Sequence, residues 1–140
     1  MVPMLATRGE FLTSYTPYQP EVSQGMLQAM WEFQTMVSEL VGLPISNVSM
    51  YDASTAAAEA ITCAVRVKSK KATRPNSVFV SDLVPPHRLS VIRNYTQGVG
   101  IELHILPHND DGTLDMEVAS SAAGSSAVYV EQPNALGILD

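Results

Sequence analysis

From Ser54 onward, helical and strand patterns alternate, and this alternation narrows the possible folds more than any other feature. The alanine-rich residues 54–68, capped by Ser54 or Thr55, predict a helix. Strands are predicted at "SVFVSD", "IELHIL" and "AVYVEQ", with helices at "PPHRLSVIRNYTQGVG" and around residues 114–120 between them. Parallel strands need crossovers, which are nearly always right-handed helices. The order therefore predicts an α/β fold with a parallel-sheet core and flanking helices.

A long amphipathic helix is predicted before this region, over residues 21–41. Apolar side chains recur there at steps of three and four, and Gly42 and Pro44 follow as typical C-terminal signals. Residues 1–20 are expected to be an extended N-terminal segment, because prolines fix the backbone. We interpret residues 1–140 as a single incomplete domain, the first half of a larger one.

Three strands are few for a parallel sheet, and no helix follows the last one in this sequence. One face of the sheet is therefore expected to lie bare unless another chain or further sequence covers it. Ligands of open parallel sheets bind beyond the carboxyl ends of the strands. The rim predicted to hold the site consists of Asp52, Ser81, Asp82, Pro107, His108, Gln132, Pro133 and Asn134.

The charge pattern argues against a nucleic-acid partner. The chain has 8 basic and 14 acidic residues, hence a formal net charge of −6, and the basic residues gather only in a short run between Arg66 and Arg74. No apolar run approaches the roughly 20 residues that cross a bilayer, and the start is too short and mixed for a secretory signal. We therefore expect a cytoplasmic protein without a membrane partner.

Metal and thiol chemistry are not predicted either. Cys63, the only cysteine, lies among alanines, where a small, buried and inert residue fits. His87, His104 and His108 lack the cysteine or carboxylate spacing of a zinc site. No metal site is therefore expected.

Three motifs resemble a known family in order and spacing. They are "FLTSYTPYQPEVSQG", "FQTMVSELVGLPISNVSMYDASTAAAEA" and "VEQPNALGILD". They resemble the glycine-cleavage P-protein family, glycine dehydrogenase (decarboxylating), as the first subunit of its split two-subunit form. The resemblance covers nearly the whole chain. It implies part of the large domain of a pyridoxal-phosphate-dependent transferase fold, aspartate-aminotransferase-like, in a chain that is similar to a fragment of the longer family members.

The resemblance also implies an activity and partners. Members of the family decarboxylate glycine and pass the remaining aminomethyl group to the lipoyl arm of H-protein. In the split form a second subunit carries the cofactor lysine and a heterotetramer is expected. This chain would then complete the site of a partner that binds pyridoxal phosphate, and would be inactive when isolated. The alternatives are a non-catalytic dimerisation module of the same fold and another pyridoxal-phosphate enzyme, such as an aminotransferase.

The residues themselves argue against cofactor binding by this chain. A Schiff base needs a sheltered lysine, but Lys68, Lys70 and Lys71, the only lysines, form a basic helix end typical of a solvated surface. Fold relatives seat the phosphate at the start of the helix after "YDAST". Asp52 puts a negative charge there, so no cofactor-binding residue and no Schiff-base lysine are expected in this chain.

One position departs from the family pattern. Where the family reads "SxxVHP", this sequence reads "SDLVPP", so that Pro85 occupies the place of the family histidine. Proline can neither stack on a ring as a histidine does nor accept a proton. The role is not carried over to His87, which is at least as consistent with an ordinary residue in a first helical turn.

The candidate contacts to substrate or partner come from the specific motifs and from the rim. Pro17 and Pro20 would present Tyr15 and Tyr18 at low entropic cost. Asn134 is either part of a Pro-Asn turn or the hydrogen-bond donor of a rim contact. The full set of candidates is Tyr15, Thr16, Tyr18, Gln19, Glu21, Asp52, Thr55 and Asn134.

Overall fold

The computed structural model describes residues 1–12, 15–67 and 72–139. Its helices and strands group into two compact units, residues 1–50 and residues 51–140. Each unit has its own architecture. Within the described ranges, no helix has both the length and the apolar character needed to cross a bilayer.

The first unit is built of helices. Two short ones, α1 (Val2–Ala6) and α2 (Gly9–Leu12), lie where an extended segment was predicted, so that prediction was wrong for these residues. Pro3 lies in the first turn of α1, where a missing N–H costs nothing because first-turn amides have no helical acceptor. The long helix α3 (Gln24–Val41) confirms the predicted helix and ends at Gly42, whose φ of 69° suits glycine.

The proline-rich segment before α3 turns instead of extending. The backbone N–H of Gln19 donates to the carbonyl of Thr16 at 3.1 Å, which closes a turn around Pro17. A short 3-10 helix, Pro20–Val22, follows directly. A proline φ near about −65° suits a turn or a first helical position as well as an extended chain, so the expected extended form was wrong here. Residues 13–14 of this segment lie outside the described residues.

Helix α3 buries none of its side chains in the described chain. Trp31, Met36 and Leu40 are exposed large apolar residues on it. The amphipathic pattern therefore predicted the helix correctly, and its apolar side is only partly covered, with Met26, Met30 and Val37 half-buried.

The second unit is an α/β layer structure, which confirms the predicted fold class. Its central strand is the first in sequence, because the sheet order is β2-β1-β3 and both pairings are parallel. The elements are α4 (Ala53–Val67), β1 (Arg74–Ser81), α5 (Pro86–Gln97), β2 (Glu102–Leu106), α6 (Met116–Ala119), a 3-10 helix (Ser120–Ala122) and β3 (Ser125–Tyr129).

One face of the sheet forms the main core. Val78 and Val80 of β1 are fully buried in a cluster with Ala58 of α4 and Ile92 of α5. The alanines of α4 allow this helix to approach the strand closely. Cys63 lies outside the buried stripe of α4 and is exposed, so the expectation of a buried cysteine was wrong.

The other face is covered only in part. Phe79 and Leu106 pack there against Ala122 of the 3-10 helix. Val128, which pairs with Phe79 on the neighbouring strand, remains half exposed. The sheet face predicted to lie bare therefore carries a small satellite cluster and an open apolar margin.

Replacing Ile92 by alanine is expected to destabilise the second unit. Ile92 has no exposed surface, and the cavity left by its side chain should cost about 2–5 kcal/mol of unfolding free energy. Urea unfolding followed by far-UV circular dichroism measures the change. Val99→Ala, at an exposed position, is the control and should lie within about 0.5 kcal/mol of the unaltered chain. Equal midpoints for the two variants would contradict the packing of α5.

Candidate functional site

The carboxyl ends of the three parallel strands lie at one edge of the sheet. In the register of the sheet, Ser81 of β1 pairs with Leu106 of β2, and Val80 pairs with Tyr129 of β3. The residues after these strand ends, together with the start of α4, form what we call the rim. In open parallel sheets, ligands bind at such an edge.

Asp52 caps the N-terminus of α4. Its Oδ1 accepts the backbone N–H of Ser54 at 2.7 Å and of Thr55 at 2.9 Å. The Thr55 hydroxyl donates back to the carbonyl of Asp52 at 3.1 Å. The cap is therefore Asp52, and the predicted capping by Ser54 or Thr55 was wrong by two or three positions.

The same contacts set the charge of Asp52. The hydrogen bond from the Thr55 N–H is the largest cause that lowers the pKa of this carboxyl, and the Arg88 guanidinium adds a smaller Coulombic effect. Hydrogen bonds to the ionised form favour it. The helix start is thus occupied by a fixed negative charge.

Arg88, Tyr129 and Glu131 form a polar network on the rim that the sequence analysis missed. Arg88 Nη1 lies 2.5 Å from Glu131 Oε2 in an ion pair whose side chains are only 20% and 16% exposed. The Tyr129 hydroxyl donates to Glu131 Oε1 at 3.0 Å. Tyr129 and Glu131 lie two residues apart at the end of a strand, a spacing that places both on one side. This two-residue spacing at a strand end is the sequence signal that could have indicated the network.

This network holds its members in defined protonation states. The hydrogen bond to Glu131 raises the pKa of Arg88, which stays charged. Burial, and then Glu131, raises the pKa of the Tyr129 phenol, which stays protonated and keeps its donor. Arg88 Nε is buried and has no hydrogen-bond partner among the described residues. The rim therefore presents a fixed ion pair whose carboxylate also accepts the Tyr129 hydroxyl.

A second pair on the rim joins the ends of β1 and β2. His108 Nδ1 lies 2.9 Å from Asp82 Oδ2, with the two side chains 43% and 30% exposed. The backbone N–H of Asp82 donates to the carbonyl of Leu106 at 2.9 Å, which holds the two strand ends together. Both residues were predicted on the rim, and their mutual contact is new.

A cavity of about 920 Å³ opens beside these groups. It lies between the segment after β2 and the segment after β3. Its lining mixes apolar and polar side chains, as ligand pockets do. The lining residues are Asn109, Thr113, Leu114, Asp115, Met116, Glu117, Val130 and Gln132.

Asn134 connects two loops of the rim, residues 109–113 and 134–138, which we call the wall of the rim. It is 7% exposed, and its Nδ2 donates to the carbonyl of Gly112 at 2.9 Å. Its Oδ1 accepts the backbone N–H groups of Leu136 and Ile138 at 2.9 and 3.1 Å. These bonds favour the turn interpretation, and a ligand contact by Asn134 stays a prediction.

Gly112 sits where this wall is tightest. Its φ is 80°, a left-handed conformation that other residues rarely adopt. A Cβ added there would lie 2.6 Å from Cδ1 of Ile138 and 3.0 Å from Cδ1 of Leu136. The positive φ therefore favours glycine, and any Cβ here would also require the side-chain ends of Ile138 and Leu136 to shift.

The remaining candidates lie in the first unit. Tyr15 and Tyr18 are 92% and 95% exposed, and the Ser23 hydroxyl donates to the carbonyl of Thr16 at 2.8 Å. The structure places Tyr15, Thr16, Tyr18, Gln19 and Glu21 in the turn and 3-10 helix before α3, and Asp52, Thr55 and Asn134 on the rim of the second unit. Their roles stay predictions.

Two other expectations concern cofactor and metal chemistry. Lys68, Lys70 and Lys71 lie outside the described residues. Across the described ranges, histidines, cysteines and carboxylates form no group of three that could hold a metal ion. Pro85 precedes α5 and His87 lies exposed in its first turn, a position consistent with an ordinary surface residue.

Known proteins similar to this chain agree with one another. A family model described as glycine cleavage system P-protein matches residues 2–140. A protein of Thermococcus onnurineus named "Probable glycine dehydrogenase (decarboxylating) subunit 1" is 49% identical over 140 residues, 99% of this chain and 30% of its own length. A protein of the same name from Anaeromyxobacter sp. is 44% identical and is covered to 31%.

A solved structure is similar as well. It is described as glycine decarboxylase (P-protein) of the glycine cleavage system in inhibitor-bound form. It shares 53% sequence identity with a TM-score of 0.63, over 77% of this chain and 24% of that one. The chain thus spans about 30% of the length of the curated relatives it matches.

Asp52 should stabilise α4 only while its carboxylate is ionised. Folding lowers the pKa of this carboxyl, mainly through the hydrogen bond from the Thr55 N–H. The contribution of Asp52 to the free energy of unfolding is therefore full above the unfolded-state pKa of about 4, and it is lost as the pH falls through the lower folded-state pKa. We expect Asp52→Ala to lower the thermal midpoint at neutral pH, and Asp52→Asn to lower it less because its amide oxygen still caps. Thermal melts should show the deficit of Asp52→Asn shrinking at acid pH. A deficit independent of pH would contradict this role.

Removing the Asn134 side chain should loosen the wall of the rim. Asn134→Ala leaves the buried Gly112 carbonyl and two backbone N–H groups without their partner, which should cost about 1–3 kcal/mol. Asn94→Ala, at an exposed position of α5, is the control and should change little. Urea unfolding gives the stability, and proteolysis of residues 109–113 reports the local opening. Unchanged stability and an unchanged cleavage rate would refute the role of Asn134 in holding the two loops of the wall together.

Proposed function

Because the chain belongs to the glycine cleavage system P-protein family, we propose that it is part of the first subunit of a two-subunit glycine decarboxylase. The complete enzyme decarboxylates glycine and passes the aminomethyl group to the lipoyl arm of H-protein. The observation that carries this proposal is the family match over residues 2–140. The relatives named as subunit 1 support the split form.

The family is pyridoxal-phosphate-dependent, and we assign the cofactor to the second subunit. What supports this is the start of α4, where the amides of Ser54 and Thr55 already donate to Asp52. A phosphate seated there would meet the carboxylate instead of free N–H groups. The described rim residues therefore do not fit the phosphate, and no step of the reaction is derived from cofactor bound to them.

The part assigned to this chain is to shape and polarise a site completed by its partner. The Arg88 and Glu131 ion pair and the Tyr129 hydroxyl are held by contacts within the chain, so they need no rearrangement to meet a ligand. Preorganised polar groups of this kind stabilise charge at low cost. The heterotetramer, the H-protein partner and the cytoplasmic location stay predictions.

A scaffold role is the second candidate, and the exposed apolar side of α3 favours it. Phe33 is 44% exposed and Leu40, two turns further along the same side of the helix, is 89% exposed. Large exposed apolar patches mark interaction surfaces. Under this alternative the chain would support assembly of the enzyme without contributing to its site.

Activity measurements distinguish the two roles. The test uses the chain extended to the length of its relatives, the second subunit and H-protein, and follows exchange of the glycine carboxyl group with bicarbonate. We expect no exchange without this chain. Exchange that is unchanged in its absence would refute the proposal.

Variants of the exposed tyrosines refine the test. Tyr15→Phe and Tyr18→Phe keep the rings and remove the hydroxyls, so a site role predicts about tenfold lower turnover in an intact complex, the effect of about one lost hydrogen bond. Tyr95→Phe on α5 is the control. Loss of assembly with normal turnover per complex would support the scaffold role instead.

A further inference from the structure

One side of α3 carries a strip of exposed apolar side chains. Phe33, Met36 and Leu40 are 44%, 61% and 89% exposed, and steps of three and four residues place them next to one another on the helix surface. Met30 and Val37, the neighbouring apolar positions, are half-buried. The contacts of α3 with α2 and with the 3-10 helix before it leave the strip open to solvent. We call Phe33, Met36 and Leu40 the α3 strip.

The charges beside the α3 strip are all negative. Glu32 and Glu39 are the only charged residues of α3, and both are exposed. Met36 lies four residues after Glu32 and three before Glu39, so both glutamates border the strip on the same flank. The sequence contains no lysine or arginine between Arg8 and Arg66. The α3 strip and its border therefore attract a basic surface and repel an acidic one.

A second copy of this chain is a poor match for the strip. Two α3 helices facing each other would bring together the glutamates of both copies and no basic side chain, and each chain has a formal net charge of −6. Like charges that meet across an interface cost affinity. The charge pattern thus favours a different partner, one whose apolar side chains are bordered by lysine or arginine.

The shape of the strip indicates a helix as the docked element. Helix α3 is a regular helix of 18 residues, and its exposed apolar side chains follow the spacing by which one amphipathic helix packs against another. A docked helix can bury all three side chains of the strip along one line of contact. It can also carry its basic residues one heptad apart, as Glu32 and Glu39 are.

We propose that the α3 strip docks a basic amphipathic helix of the second subunit. Apolar side chains of that helix pack on Phe33, Met36 and Leu40, and lysine or arginine side chains on its flank pair with Glu32 and Glu39. The strip then serves assembly, whatever the rim contributes to the site. This inference rests on the proposed function, which supplies the second subunit.

Reversing the bordering charges tests the electrostatic part. Titration calorimetry measures the affinity of the full-length first subunit for the second at low and at high salt. The double variant Glu32→Lys/Glu39→Lys should bind about tenfold more weakly or worse at low salt, and the deficit should shrink at high salt because the charges are screened. Glu59→Lys/Glu102→Lys makes the same charge change at exposed positions of the second unit, and its affinity should stay within about twofold.

Shortening the most exposed apolar side chain tests the packing part. Leu40→Ser should weaken binding about tenfold or more at both salt concentrations, because a side chain that is buried at an interface dominates its affinity. Exchange of the glycine carboxyl group per assembled complex should be unchanged. Val99→Ser, at a position that is 59% exposed in the second unit, is the control and should bind normally.

Each other outcome overturns the inference in a recognisable way. Unaltered affinity in both strip variants refutes the docking. A Leu40→Ser first subunit whose thermal midpoint falls in the absence of the second subunit assigns the strip to packing within its own chain. Weaker self-association in analytical ultracentrifugation, with normal affinity for the second subunit, assigns it to a second copy. If the unaltered subunits neither bind each other nor catalyse exchange, the proposed function fails, and this inference with it.

Discussion

The pairing of β1 with both of its neighbours is the interaction on which the second unit depends. Because side chains alternate along a strand, this pairing sends Val80 to the helical face and Phe79 to the opposite one. It also aligns three carboxyl ends at one edge. Without it, neither the main core nor the rim would form, since the rim residues come from segments far apart in sequence.

Polar contacts between different segments hold the rim together. Arg88 links the first turn of α5 to the segment after β3 through Glu131, and it also lowers the pKa of Asp52 at the start of α4. Asp82 and His108 join β1 to β2 in the same manner. Such mutual fixation lets a small unit present charges without the entropy loss that freely rotating side chains would pay on binding.

Much of this fold could be predicted from sequence, since helix and strand periodicities are local signals. The strand order and the exposure of Cys63 could not, because they depend on which side of an element meets a neighbour. The turn at Pro17 was misread because proline restricts φ alone and leaves ψ free. The contact between Asp82 and His108 was missed because it joins residues 26 positions apart, and only the sheet register brings them together.

The tight fit around Gly112 limits how the two loops of the rim wall can change. A Cβ at this position would displace the end of the Ile138 side chain, and the carbonyl of Gly112 is the acceptor that Asn134 needs. A smaller residue at position 138 would make room, but the backbone at 112 would still favour glycine. Among relatives that keep this wall, glycine at 112 and asparagine at 134 should therefore persist together, whereas the side chain at 138 can vary in size.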